Sequence, residues 1–211
     1  MKNNISPTLF AKNIVTERKK KNLSVYNFGL GENLLPAPKP LLEYTAQNLH
    51  NKHYGNTDGV SELNSIIKKL YSSKLYHVEN IVIGNGLKEL TFLVQMSFNG
   101  IIFHVTPSWV SYKEQVKILN NSNKLIEIQT ELSDNFILQP DVLESYLSKY
   151  PNEKKLLIFN NPSNPTGVYT SKENVSKYAA ILQKYDCIVF SDEIYGDICF
   201  NKNYTSISEY I

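Results

Sequence analysis

Two apolar runs, 156–159 and 187–191, are each followed at once by residues able to do chemistry. After the first comes Asn160-Asn161-Pro162-Ser163-Asn164-Pro165-Thr166-Gly167, and after the second Asp192-Glu193-Ile194-Tyr195. Such runs read as buried strands, and in an open α/β sheet ligands bind just beyond the carboxyl ends of the strands. A carboxylate at such an end, Asp192, can hold a pyridinium nitrogen protonated, because an opposite charge nearby favours the charged form of both groups. A ring held in that state is an electron sink that makes the α-carbon of a bound amino acid acidic. Asn164 and Tyr195 can both donate to a phenolate oxygen on the same ring. The plainer reading of Asp192, a carboxylate that caps a helix or closes a turn, needs no ligand.

Other groups add to the set. Gly84-Asn85-Gly86-Leu87-Lys88 lies between the apolar triplet 81–83 and a helical stretch. Strand, glycine turn and helix N-terminus in that order present unpaired N–H groups and the positive end of a helix dipole to an anion. Glu89 stands where a dinucleotide fingerprint would have its third glycine, which disfavours a nicotinamide-binding domain; a turn with backbone duties alone stays open. Trp109, the single tryptophan, follows the apolar run 101–105. It offers a flat platform for a flat ligand, since stacked rings gain about 1 kcal/mol beyond the area they bury, while a core or interface aromatic fits equally well. Tyr54 sits in a polar, turn-rich stretch, and in a chain with 14 tyrosines an exposed ring is the simpler reading. His50, His53, His77 and His104 show no metal-ligand spacing with one another or with carboxylates, so no metal site is expected. No coherent Ser-His-Asp or Cys-His set of partners is legible either.

The elements that must position these groups come from periodicity. A helix is expected over 6–20, an extended piece over 25–30, and a second helix over 40–51 opened by Pro40. Leu63, Ile66, Ile67 and Leu70 form the apolar stripe of a third, with Asp58 as its candidate N-cap. From residue 79 strands and helices alternate: strands at 81–83, 101–105, 125–128, 156–159 and 187–191, and helices at 87–98, 109–120 and 142–150. A last helix follows the capping box Thr170-Ser171-Lys172-Glu173. Near-continuous apolar strands between helices imply a mostly parallel sheet covered on both faces, a three-layer α/β/α fold. Five strands are readable, and the sheet reads as unfinished after the last.

A formal net charge of +2, with 42% hydrophobic and 20% charged residues, describes a soluble globular chain with no nucleic-acid or anionic-membrane partner. Arg18-Lys19-Lys20-Lys21, the only basic cluster, reads as a solvated helix end. Cys187 and Cys199 lack metal-type spacing, Cys187 fits a small core residue, and a reducing cytosol suits both. The first ten residues carry no apolar core of a secretory signal and no run is long enough to span a membrane, so a cytoplasmic protein is expected.

Taken together, Asn-Pro-Thr-Gly at 164–167 and Asp-x-x-Tyr at 192–195 resemble the class I/II aminotransferases of fold-type I, enzymes that use pyridoxal 5'-phosphate. The likeness runs from about residue 25 to the C-terminus. It implies that Asp192 faces the ring nitrogen, Asn164 and Tyr195 the ring hydroxyl, and Trp109 the ring face, so these four must share one hollow. It implies cofactor-phosphate contacts through the N–H groups of Leu87 and Lys88, and a contact from Tyr54 to the cofactor phosphate of a partner subunit in a homodimer. Gly31, in Gly29-Leu30-Gly31-Glu32, looks like the glycine where backbone approaches substrate closely. The expected organisation is an N-terminal arm and helix over 1–52 and a cofactor-binding large domain over 53–211.

In relatives the lysine that links the cofactor covalently lies a few dozen residues beyond the aspartate, in a Ser-x-x-Lys-type turn, and an arginine near the C-terminus clamps the substrate carboxylate. Neither has a counterpart between Asp192 and Ile211; Lys202, in Asn-Lys-Asn, is read as solvated. The expectation is therefore a partial aminotransferase chain, inactive alone, whose parent moves amino groups between amino acids and 2-oxo acids. A decarboxylase or lyase on the same cradle is one alternative, and a catalytically silent cofactor- or partner-binding protein is another.

Overall fold

Short runs rich in apolar residues become strands where a neighbour can pair with them. β1 (Ile101–Thr106), β2 (Lys124–Gln129), β3 (Lys155–Asn160) and β4 (Cys187–Asp192) form one parallel sheet in the order β2-β1-β3-β4. The computed structural model describes residues 7–29, 31, 33, 35–72, 78–119, 123–200 and 204–211. The readings given to Lys202 and His77 lie outside them. Contacts divide the chain into two units, Met1–Tyr54 and Gly55–Ile211.

The first unit holds α1 (Pro7–Lys20) and α2 (Lys39–Gln47). Arg18, Lys19 and Lys20 occupy the last turn of α1, exposed and on the side of the helix where cations are favoured. Pro40 opens α2 as expected, and the helix ends earlier than 51.

The second unit contains α3 (Ser61–Tyr71), α4 (Leu87–Ser97), α5 (Ser111–Leu119), α6 (Pro140–Leu147), α7 (Lys172–Lys184) and the whole sheet. Side chains alternate across a strand, so the two faces of the sheet build two cores. Ile101, Phe103, Ile128, Leu157 and Phe159 pack with Leu143 and Leu147 of α6 and with Val175, Tyr178, Ala179 and Leu182 of α7. Ile102, Leu156 and Ile158 pack with Tyr112 and Val116 of α5 and with Val94 of α4. The connections explain this division. From β1 the chain steps outward through α5 to β2, then returns past β1 through α6 to β3 and continues through α7 to β4. Crossovers between parallel strands are right-handed, so reversing the direction of travel moves the connecting helices to the opposite face. The reversal makes the chain diverge above the ends of β1 and β3, and ligands bind at such a switch point.

Four expectations change. Residues 81–83 join no strand ladder among the described residues; the Ile83 N–H instead binds the Asp58 carbonyl at 3.1 Å, and Val82 is exposed. Apolar character makes a strand only when a neighbour is available, so the sheet has four strands among the described residues. Asp58 does not cap α3, whose N-cap is Val60; it contributes its carbonyl, which also accepts from Asn64 Nδ2 at 3.2 Å. Leu63, Ile66 and Leu70 of α3 are exposed. Trp109 precedes its helix, which starts at Ser111. At α7 the cap is Ser171, whose Oγ accepts from the Asn174 N–H at 3.3 Å, while buried Thr170 gives its N–H to Asn161 Oδ1 at 2.8 Å. The cap is thus one residue later than read, and Glu173 pairs with Lys177 at 2.6 Å. Replacing Ser171 with Ala is expected to cost about 1 kcal/mol, typical of a lost N-cap. A lower urea midpoint with an unchanged m-value would register it.

Cys187 is a core residue whose thiol burial pushes up to about 12, so it stays protonated. Among the described residues no helix is long and apolar enough to cross a membrane, and no group of three His, Cys, Asp or Glu could hold a metal ion.

Candidate functional site

The ends of β3 and β4 lie in register, Asn160 beside Asp192. Asp192 is 3% exposed. Tyr112, in the first turn of α5, donates its phenol to Asp192 Oδ2, and the Ile194 N–H reaches Oδ1 at 3.2 Å. Burial first, then the bond to Asp192, raises the Tyr112 phenol far above its ordinary value, so Tyr112 keeps its proton and acts as donor. Among the described residues no lysine, arginine or histidine makes an ion pair with Asp192. A carboxylate taken out of water without a cation is costly.

Two consecutive asparagines tie the neighbouring loop to this end of β4. Asn160 Nδ2 donates to the Asp192 carbonyl at 2.9 Å, and Asn160 Oδ1 accepts from the Asn164 N–H at 2.7 Å. The Asn161 N–H reaches the same Asp192 carbonyl at 3.1 Å, and Asn161 Oδ1 holds the Thr170 N–H. So anchored, the loop brings Asn164 Nδ2 to the Tyr195 phenol at 3.3 Å. A cavity of about 430 Å³ opens beside that pair, lined further by Pro162, Pro165, Tyr169 and Ile198. Its volume falls in the range of small-molecule sites, about 300–1,000 Å³. Asp192 and Trp109 do not line it, so the one hollow expected to hold Asp192, Asn164, Tyr195 and Trp109 together is not this cavity.

Trp109 packs edge-on against Tyr112, with ring centroids 5.4 Å apart and planes at 87°. The Lys88 ammonium lies 5.6 Å from the Trp109 ring centre, and the Lys88 carbonyl accepts from Gln115 Nε2 at 2.8 Å. Gly86, at φ +82°, turns the chain into α4 through a conformation that side chains disfavour. The Leu87 and Lys88 N–H groups then belong to a first turn that has no intrahelical acceptor. Glu89 Oε2 accepts from the Asn85 N–H at 2.5 Å, so the residue standing in place of a third glycine closes the turn with its own carboxylate.

The expected residues therefore form two linked sets. Lys88, Trp109, Tyr112 and Asp192 make one chain of contacts; Asn164 and Tyr195 make the other; Asn160 joins them. Gly31 and Tyr54 belong to the first unit, where both are exposed, and a side chain at position 31 would meet nothing within 4 Å. Tyr112 escaped the reading of the sequence, and Asn160 and Asn161, quoted there with the polar stretch, were given no individual role. Tyr112 is three residues after Trp109, a spacing that puts two side chains on one helical face, and the paired asparagines directly follow a buried strand. Changing Tyr112 to Phe is expected to cost about 1–3 kcal/mol, because buried Asp192 Oδ2 loses its donor; urea denaturation of the ligand-free chain measures it.

The family model described as "Aminotransferase class I and II" matches residues 18–211. The aspartate aminotransferase of Sulfurisphaera tokodaii is 29% identical over 199 residues, covering 91% of this chain and 49% of that protein. A probable aspartate aminotransferase of Methanocaldococcus jannaschii is 31% identical over 188 residues, covering 85% and 48%. The crystal structure of aspartate aminotransferase from Thermotoga maritima superposes with a TM-score of 0.85 at 26% identity, over 98% of this chain and 56% of that one. The chain spans about half the length of the curated relatives it matches.

Proposed function

The chain belongs to the class I and II aminotransferases, and from that premise we propose that it forms the cofactor-binding part of a pyridoxal 5'-phosphate-dependent enzyme that transfers amino groups between an amino acid and a 2-oxo acid. The observation that carries the reading is Asp192, a buried carboxylate with two neutral donors and no cation paired to it among the described residues. A protonated ring nitrogen is the countercharge such a group lacks.

When bound, pyridoxal 5'-phosphate supplies the electron sink that makes the α-carbon of an amino acid acidic. Asp192 would face the ring nitrogen and keep its proton in place, with Tyr112 fixing the carboxylate. Asn164 and Tyr195, 3.3 Å apart, would donate to the ring hydroxyl oxygen. Trp109, held edge-on by Tyr112, would cover one ring face. The Leu87 and Lys88 N–H groups at the start of α4 would take the phosphate, with the Lys88 ammonium nearby and Glu89 turned to the Asn85 N–H. Gly31 would lie against the substrate and Tyr54 would reach the phosphate of a second subunit in a homodimer. A reducing cytosol suits the two free thiols.

Titrating the 211-residue chain with pyridoxal 5'-phosphate tests this, with absorbance and Trp109 quenching as readouts. Saturable binding without turnover of aspartate and 2-oxoglutarate is the expected result, and borohydride should trap a lysine adduct only in a chain continued past Ile211. Absence of saturable binding in both chains overturns the reading.

A further inference from the structure

A second polar chain ends at Ser108, the residue before Trp109. His104, in the central strand β1, is 2% exposed, and parallel pairing sets it beside Glu127 of β2. Its Nε2 lies 3.5 Å from Glu127 Oε1, long for a hydrogen bond but close enough for a strong electrostatic contact. Its Nδ1 lies 3.3 Å from the hydroxyl of Ser108, the residue immediately before Trp109. Lys113 of α5 pairs with the same Glu127 oxygen at 2.5 Å. On the other side of β1, the residue of β3 in register with His104 is apolar Ile158. Glu127 and Lys113 are the charged groups whose fields act on the imidazole.

The carboxylate determines the tautomer. A lone pair on Nε2 would point at a negative oxygen, so neutral His104 carries its proton on Nε2 and presents Nδ1 as an acceptor for the Ser108 hydroxyl. We propose that His104 is a positioning residue: held by Glu127, it fixes Ser108 and with it the turn that presents Trp109. Protonation of the imidazole places a hydrogen on Nδ1, reverses the bond to Ser108 and releases the hydroxyl proton to seek another acceptor. Burial, the largest influence, and Lys113 lower the His104 pKa, while Glu127 opposes them. The neutral form, with Ser108 donating to Nδ1, therefore predominates through the ordinary histidine range and is lost as pH falls below it. Because burial disfavours the protonated form only in the folded chain, stability declines in the same direction.

Only the purpose of holding Trp109 depends on the cofactor reading; the coupling itself does not. Trp109, as the sole tryptophan, reports on the turn without any ligand. Its emission maximum is followed in the 211-residue chain from about pH 8 to pH 5, the interval in which histidine titrates. The wild-type chain should show a red shift of several nanometres with a midpoint below the ordinary histidine value. Glu127→Gln should move that midpoint lower. Ser108→Ala, a mild change at a half-buried turn, should give the shifted emission at every pH with no step, while circular dichroism confirms the fold. His104→Asn, which keeps an acceptor in the place of Nδ1 but cannot titrate there, should restore the unshifted emission and also show no step. His104→Leu should resemble Ser108→Ala. A flat wild-type profile, or a step that survives in His104→Asn, overturns the proposal. Neither outcome bears on cofactor binding, and a failure to bind cofactor leaves this result standing.

Discussion

Asp192→Asn is expected to weaken pyridoxal 5'-phosphate binding by about 10²–10³-fold while leaving the ligand-free chain nearly as stable as before. The two effects separate because the charge of Asp192 has different consequences in the two states. Without ligand, among the described residues, its oxygens have only the Tyr112 phenol and the Ile194 N–H, both neutral. An amide keeps the shape and one acceptor, so a lost hydrogen bond is offset by relief from burying a lone charge. With the ring nitrogen bound, the amide leaves a cation without its partner in a buried place. Breaking a buried pair costs about 3–5 kcal/mol, and about 1.4 kcal/mol is a factor of ten in affinity. Titration of both forms with the cofactor, alongside urea denaturation without it, distinguishes this from general damage. Equal affinities in wild type and variant would remove Asp192 from the site. Asp192→Ala should lose affinity to a similar degree, and the ligand-free chain should also weaken because the Tyr112 phenol is left without an acceptor.

Phe103→Ala is expected to destabilise the chain by about 3–5 kcal/mol, as large-to-small changes of buried aromatics do. Phe103 is fully buried in β1, the strand flanked on both sides by neighbours, and its ring meets Tyr150 at 5.9 Å between centroids with planes at 62°. Little can collapse into the space it leaves, because α6 and α7 close that face of the sheet. Against a typical stability of about 5–15 kcal/mol, the loss would leave a sizeable unfolded population at modest urea concentrations. The candidate site should fail with it, since Ser108 and Trp109 continue directly from β1. A loss below about 1 kcal/mol, the scale of a change at an exposed position, would mean that β1 is not the centre of the core.

The order of strands and helices from 101 onward was legible because β1 and β3 are apolar on both faces, a pattern produced by burial on two sides, while the edge strand β2 alternates about Glu127. The same signal misled at 81–83. Those residues are as apolar as β1, yet their Ile83 N–H binds Asp58 and no described strand lies alongside to complete a ladder. The caps shifted for a similar reason. Asp58 and Thr170 have suitable side chains, but a cap depends on where the helical turn begins, and the bond from Asn64 to the Asp58 carbonyl and that from the Thr170 N–H to Asn161 set that frame.

Residue type and order alone determined a parallel α/β layering and a carboxylate, an amide, a phenol and an indole near strand ends. Those properties follow from burial, backbone pairing and chemical identity, which belong to individual residues and their near neighbours. Only the tertiary structure decided that Tyr112, 80 positions from Asp192 in the chain, holds its carboxylate, that Asn160 joins the two sets of side chains, and that His104 meets Glu127 and Ser108. Such contacts depend on strand order and parallel register. Both arise from the packing of the whole sheet, and no local pattern encodes them.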